Sequence, residues 1–163
     1  MINVNVHSTT MDILLYISLL LISFISMEGV AWFTHKYIMH GIFWNLHKDH
    51  HKKDVYGFFE KNDYFFLIFA TPGILCLYFG LYHIGFLFWI GLGITFYGFA
   101  YFMVHDLFIH QRFKIFKRSE RFYFRAIRKA HKVHHKIHVK EGCENFGMLW
   151  VPLRYFKEAK PIK

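Results

Sequence analysis

ILLYISLLLISFISMEGVAWFTHKYIMH, residues 13–40, joins two signals: an almost unbroken apolar run from Ile13 to Phe33, and then a histidine pair, His35 and His40. Two further apolar runs follow, Tyr64 to Tyr82 and Ile84 to Val104. Each is about 20 residues, enough at ~1.5 Å per residue to cross a hydrocarbon layer of ~30 Å. The chain has 163 residues, of which 55% are apolar and 21% aromatic. Burying all three runs in a soluble core fails on supply, because too little amphipathic chain remains to wrap them. The expected fold is an all-α integral membrane protein with about three transmembrane helices plus cytoplasmic or interfacial helices. The length allows one domain, residues 1–163, with spans at about 13–33, 64–82 and 84–104 and histidine-rich segments at 35–61 and 105–163.

The first run differs from a cleavable leader, since Met1 to Asp12 has no Lys or Arg and the run is too long. It is expected to stay as a membrane helix. All 20 Lys and Arg residues fall in two places: Lys36, Lys48, Lys52, Lys53 and Lys61, and then Arg112 to Lys163. Basic residues near spans stay on the cytoplasmic side. The N-terminus and the Tyr82–Gly85 hairpin are therefore expected outside a bacterial inner membrane, with the segment after the first span and the C-terminal third inside. This topology accounts for the net charge of +9 through contact with anionic lipid or an acidic partner. No nucleic-acid motif is present.

Ten of the 13 histidines repeat one pattern twice, HxxxxH and then HxxHH: His35 and His40 with His47, His50 and His51, and His105 and His110 with His131, His134 and His135. Imidazoles gathered at such spacing point to transition metal. Ten exceed the four to six ligands, roughly, that one ion holds, so two metal ions are implied. The topology places all four clusters at one membrane face, by an argument that uses none of the histidine spacing. His7 and His83 fall on the outer side, and His138 reads as a surface or ring-supporting residue rather than a ligand.

In HxxHH the positions i, i+3 and i+4 share one helical face. In HxxxxH five steps rotate about 140° on a regular α-helix, which separates the pair. The spacing therefore predicts a helix end, a break or a π-type widening at 35–40 and again at 105–110. Elsewhere, Lys48–Asp63 reads as a link, Pro72–Gly73 as a kink, and Gly85, Gly91, Gly93 and Gly98 as positions of close helix packing. Phe113–Lys132 reads as a basic amphipathic surface helix, and Phe146–Phe156 as an interfacial or re-entrant segment too short to span. Cys76 and Cys143 should be free.

The chain lacks HExxH, which argues against a zinc protease, and lacks the ExxH of soluble carboxylate-bridged di-iron bundles. An all-imidazole pair suits iron that activates dioxygen, while zinc, copper and manganese stay open. Asp49 and Asp106 are candidates to orient imidazole rings. Glu28, seven residues before His35, is the one ionisable group well inside the first run, and an acid there is expected to serve a polar pocket or the site.

The runs EGVAWFTHKYIMHG (28–41), HKDHH (47–51), YFMVHDLFIHQR (101–112), AHKVHH (130–135) and KEGCENFG (140–147) resemble the histidine-box membrane di-iron enzymes of the fatty acid hydroxylase superfamily, and within it the bacterial β-carotene 3-hydroxylases. The resemblance covers residues 25–155. Lys36, Tyr37, Met39, Gly41, Asp106, Gln111, Arg112 and the stretch from Lys140 to Cys143 point to the carotenoid branch. It implies a non-haem di-iron monooxygenase acting at C3 of each β-ionone ring, from β-carotene through cryptoxanthin to zeaxanthin. Dioxygen and electrons from reduced ferredoxin would be consumed. The ten histidines would hold the two iron ions, with no catalytic residue beyond them. Trp32, Phe99, Tyr101 and Phe102 are candidates to line a substrate channel, and the cations from Lys114 to Arg128 to dock an acidic electron donor. The alternatives are a related membrane hydroxylase with a fatty acyl, sterol or keto-carotenoid substrate, and a membrane metal-binding or transport protein.

Overall fold

The computed structural model describes residues 6–52, 58–82, 85–113 and 119–159, and all their regular structure is helical. The long elements are α1 (Val6–Phe33), α3 (Tyr64–Leu81) and α4 (Phe86–Phe102); the short ones are α2 (Trp44–His51), α5 (Phe122–His134) and α6 (Leu153–Glu158). Two compact units emerge, one of residues 1–27 and 68–98, the other of residues 28–67 and 99–163.

The first unit is inside-out relative to a water-soluble bundle. Ile22, Ile25, Ile74 and Phe79 are each more than half exposed, and three helices are long and apolar enough to cross a membrane. Helices apolar on every side are stable only where lipid covers them. Lipid also offers no hydrogen bonds, and the hydroxyls of Ser23 and Thr95 turn back onto their own helices, at Leu19 O (2.7 Å) and Gly91 O (2.8 Å). Close approach comes from glycines: at Gly80 of α3 a Cβ would lie 2.3 Å from Phe88 N of α4. A Cβ on Gly93 would lie 2.4 Å from Leu20 O of α1, and one on Gly91 would lie 2.8 Å from Leu77 N of α3. Gly98, expected to act similarly, faces open space. Tyr16 stacks on Trp89 at 5.5 Å, tying α1 to α4 as well. Pro72 sits inside an unbroken α3, so the expected kink does not interrupt the helix.

In the second unit α1 passes directly into a π-helix, Thr34–Ile42, and α4 into another, Met103–Ile109. Both π-helices fall on the HxxxxH pairs, where the spacing called for a widened turn. The helical run breaks at Gly41 (φ −111°, ψ −114°), redirecting the chain into α2. α5 begins at Phe122, later than the expected 113–132 helix; Lys114–Arg118 lie outside the described residues, as do His83 and the side chain of His7. Its period-3.6 pattern buries Ala126, Ile127, Ala130, His131 and His134 and leaves Lys129 and Lys132 exposed.

The 146–156 segment lies against this helix rather than along a membrane by itself. Met148, Val151 and Tyr155 join Ala126, Ile127 and Ala130 in one core. The apolar character that suggested an interfacial segment is spent on that core, although Trp150 and Leu153 remain 74% and 71% exposed. Cys76 and Cys143 are both free.

Replacing Gly93 by Leu should drive α1 and α4 apart at Leu20, an overpacking cost of about 1–3 kcal/mol or more. The expected result is a lowered melting temperature in detergent, whereas Gly98→Leu should leave it nearly unchanged.

Candidate metal centre

Ten histidines arrive from four elements. The first π-helix carries His35 and His40, α2 carries His47, His50 and His51, the second π-helix and its C-cap carry His105 and His110, and α5 with its C-cap carries His131, His134 and His135. Nine of them gather into two groups whose nitrogens lie within 4.8 Å of one another: His35, His40, His47, His51 and His134, and then His50, His105, His110 and His131.

Ring by ring, the hydrogen bonds fix which nitrogen is available. In the first group every Nδ1 faces an oxygen acceptor: His35 faces Phe146 O (3.0 Å), His40 Lys140 O (3.1 Å), His47 Asn62 Oδ1 (2.7 Å), His51 Ile137 O (2.9 Å) and His134 Glu144 O (2.8 Å). Such oxygens only accept, so each Nδ1 carries the proton and donates it, and each neutral ring presents a bare Nε2 lone pair. Those lone pairs point at one another, at 3.1 Å for His35–His47, 3.2 Å for His47–His51 and 3.3 Å for His40–His134. The second group repeats this: His50 and His105 donate Nδ1–H to Glu60 (2.9 Å) and Asp106 (3.1 Å), and their Nε2 atoms meet at 3.0 Å. His110 and His131 approach Nε2 to Nε2 at 2.8 Å.

Bare lone pairs at such distances repel, and a cation between them reverses the sign. With metal–nitrogen bonds of about 2.1 Å, adjacent ligands fall roughly 3.0 Å apart at right angles and 3.4 Å apart in a tetrahedron. The observed spacings match that edge length, so the residues present fit a metal in each group. His135 stands beside both. Its ring stacks on His51 at 4.6 Å and lies 4.3 Å from His131, and its buried Nε2 has no hydrogen-bond partner among the described residues. His138 is exposed and belongs to neither group.

Burial keeps the rings neutral. Desolvation pushes His47 down to about 2, His134 to about 3 and His51 to about 4, and lowers His50, His110, His131 and His135 as well.

Of the acids singled out from sequence, Asp106 bonds the His105 ring. Asp49 reaches no imidazole; its Oδ2 accepts from Lys61 N at 2.6 Å, anchoring the turn that carries Glu60 and Asn62. Glu28 accepts from the amides of Met148, Leu149 and Trp150. Arg112 is a hub that the spacing did not reveal. Its guanidinium grips both oxygens of Asp63 (2.6 and 2.8 Å), Asp106 (3.1 Å) and Phe58 O (2.6 Å), and the Asp63 bonds lead in raising its pKa. Glu60 and Asn62 sat in a stretch read only as a link; the available signal was the Glu60–Asp63 capping box ahead of α3.

Among the channel candidates, Tyr101 lies 5.1 Å from the His105 ring, and Phe102 packs edge-on to Phe113. Phe99 is 63% exposed. Trp32 walls a cavity of about 400 Å³ together with Phe146, Gly147, Trp150, Val151 and Pro152. The Phe146 ring in turn abuts His35, His40 and His134 at 5.2–5.4 Å.

A family model described as fatty acid hydroxylase matches residues 20–154, a stretch that includes all ten histidines. The chain belongs to the fatty acid hydroxylase family. It is 42% identical over 132 residues to a beta-carotene hydroxylase of Pseudescherichia vulneris, covering 81% of this chain and 74% of that one. It is 43% identical over 131 residues to a beta-carotene hydroxylase of Pantoea ananas, covering 80% and 74%. A chloroplastic beta-carotene 3-hydroxylase of an Oncidium hybrid cultivar is 42% identical over 118 residues, 69% of this chain and 38% of that one. No solved structure matches.

Two outcomes are expected. Because the folded histidines titrate below the ordinary 6.5, the unfolded chain takes up protons first. Stability of the metal-free protein is thus complete above about pH 6.5 and declines as pH falls toward 4, which thermal unfolding at stepped pH would record. Arg112→Lys, which keeps the charge and loses the two-pronged grip, should weaken metal retention roughly ten- to hundred-fold; competition with a chelator measures it.

Proposed function

We propose that the chain is a non-haem di-iron monooxygenase that hydroxylates C3 of the β-ionone rings of β-carotene, giving cryptoxanthin and then zeaxanthin in carotenoid biosynthesis. Its substrate reading draws on the names of the relatives, and its chemistry rests above all on one observation: seven imidazoles whose protonated Nδ1 atoms are engaged by oxygen, leaving bare Nε2 atoms turned inward. A soft-to-borderline cation pair held by neutral nitrogen suits iron. When bound, that pair supplies the reductive activation of dioxygen, one oxygen atom entering the ring C–H bond and the other leaving as water with two electrons and two protons.

The ten histidines hold the metals; they are neutral and give up no proton. Asn62, Glu60, Asp106 and the loop carbonyls fix ring orientation. An apolar polyene dissolved among lipid tails reaches the site sideways, and the cavity walled by Trp32, Phe146 and Trp150 offers its end ring an apolar seat beside the first histidine group. Tyr101 borders the second group. Electrons come from an acidic donor such as reduced ferredoxin, for which Lys132, next to the Lys129–Glu158 ion pair (2.6 Å), offers a cation on the outer face of the helix whose inner face carries His131 and His134. The charge distribution supports a single hydroxylase domain in the bacterial inner membrane, N-terminus outside, with metal site and C-terminus cytoplasmic.

Expression in a bacterial host that accumulates β-carotene should yield cryptoxanthin and zeaxanthin, and His35→Ala or His105→Ala should reduce product at least a hundredfold. Failure of zeaxanthin to appear with iron loaded and donor supplied would overturn the substrate assignment. A fluorescent protein fused at the C-terminus should be bright, as folding on the cytoplasmic side requires; a dark but inserted fusion contradicts the orientation.

A further inference from the structure

Glu28 lies within the first apolar helix, and its carboxylate is occupied by three consecutive backbone N–H groups. Oε1 accepts from Met148 N (2.8 Å), Leu149 N (3.0 Å) and Trp150 N (3.0 Å), and Oε2 accepts from Leu149 N (3.2 Å). Hydrogen bonds to an ionised acceptor are roughly twice as strong as neutral ones, and more so away from water. The fit admits no additional carbon. A Cβ on Gly147 would stand 3.0 Å from Glu28 Oε1 and 2.6 Å from Trp150 O.

The segment held in this way has a second set of contacts. Phe146 O receives the Nδ1–H of His35, and Glu144 O receives that of His134. Between them Asn145 adopts a left-handed backbone (φ 63°), with its amide on Tyr155 Oη at 2.6 Å. Residues 144–150 are thus stapled to one continuous helical run at two points, Glu28 and His35, seven residues and about 10 Å apart. The Phe146 carbonyl has no local chain constraint that would bring it to His35, since the two are separated by 111 positions, whereas Glu144 is ten residues from His134.

We propose that Glu28 is a positioning residue for the five-histidine group: it holds the 144–150 loop in register on α1, so that the Phe146 and Glu144 carbonyls fix the tautomer and angle of His35 and His134. It touches no imidazole and acts only through the loop. The proposal rests on the metal-centre reading and is independent of which substrate is hydroxylated. The second group of four histidines has its own supports, Glu60 and Asp106, and does not depend on Glu28.

The test is metal binding to the full chain in detergent or nanodiscs, using Fe(II) under anaerobic conditions, with Glu28→Ala, Glu28→Gln and Gly147→Ala beside the wild type. Helical content and melting temperature of the metal-free proteins serve as the folding control. The wild type should bind two equivalents. Glu28→Ala should bind one with wild-type affinity and the other roughly ten- to hundred-fold more weakly. Glu28→Gln, which keeps an acceptor oxygen without the charge, should fall between. Gly147→Ala displaces the same loop without touching the acid and should reproduce the loss of a single equivalent, which keeps the test decisive should Glu28→Ala fail to fold. Two equivalents of unchanged affinity in Glu28→Gln and Gly147→Ala overturn the role of Glu28, as does equal weakening of both equivalents. A wild type that takes up fewer than two overturns the metal-centre reading and this proposal together.

Discussion

Repulsion between imidazole lone pairs is the constraint from which the rest of this structure follows. Each ring in the first group could relieve it by moving the proton to Nε2, and none can, because a carbonyl or amide oxygen already holds the proton on Nδ1. Burial removes the other escape, which is protonation of both nitrogens. A polypeptide that assembles so many bare nitrogens at about 3 Å gains stability from positive charge placed among them. That demand explains why the scaffold invests so heavily in acceptors outside the rings.

Those acceptors organise the second unit. Glu60 and Asn62 reach two histidines of α2 from the turn ahead of α3, while Arg112 ties that turn, through Asp63, to Asp106 beneath His105. Asp49, on α2 itself, closes the circuit by holding the backbone of Lys61. Within the first unit the long apolar helices contribute little polar chemistry of their own, and glycines and aromatic rings set their spacing.

Much of this was legible in the sequence because two signals were strictly periodic. The apolar runs pointed to the three long helices, and the five-residue spacing of His35–His40 and His105–His110, incompatible with a regular α-helix, called for a helix end, a break or a π-type widening, of which the structure has the last. The repeated pattern also contains the nine rings that the fold gathers into two groups, with His135 beside both. What stayed hidden depends on contacts between residues far apart in sequence. Backbone carbonyls at Ile137, Lys140, Glu144 and Phe146 carry no side-chain signature at all, and Asn62 and Glu60 looked like ordinary linker residues. Asp49 was misread because adjacency to a histidine in sequence does not determine which way a carboxylate turns. The 146–156 segment, apolar and short, was ambiguous until its partner surface on α5 was known.

The loop that completes the first histidine group lies far along the chain from the rings it holds. Two of that group's rings are His35 and His40, yet their partners at Phe146 O and Lys140 O lie 111 and 100 positions downstream. During biosynthesis the early histidines must therefore enter the membrane boundary unsupported, free to hold their protons on either nitrogen. A defined geometry for metal in this group therefore waits on residues 140–146 being made and docked, so metal that arrives earlier meets rings whose orientation is not yet set.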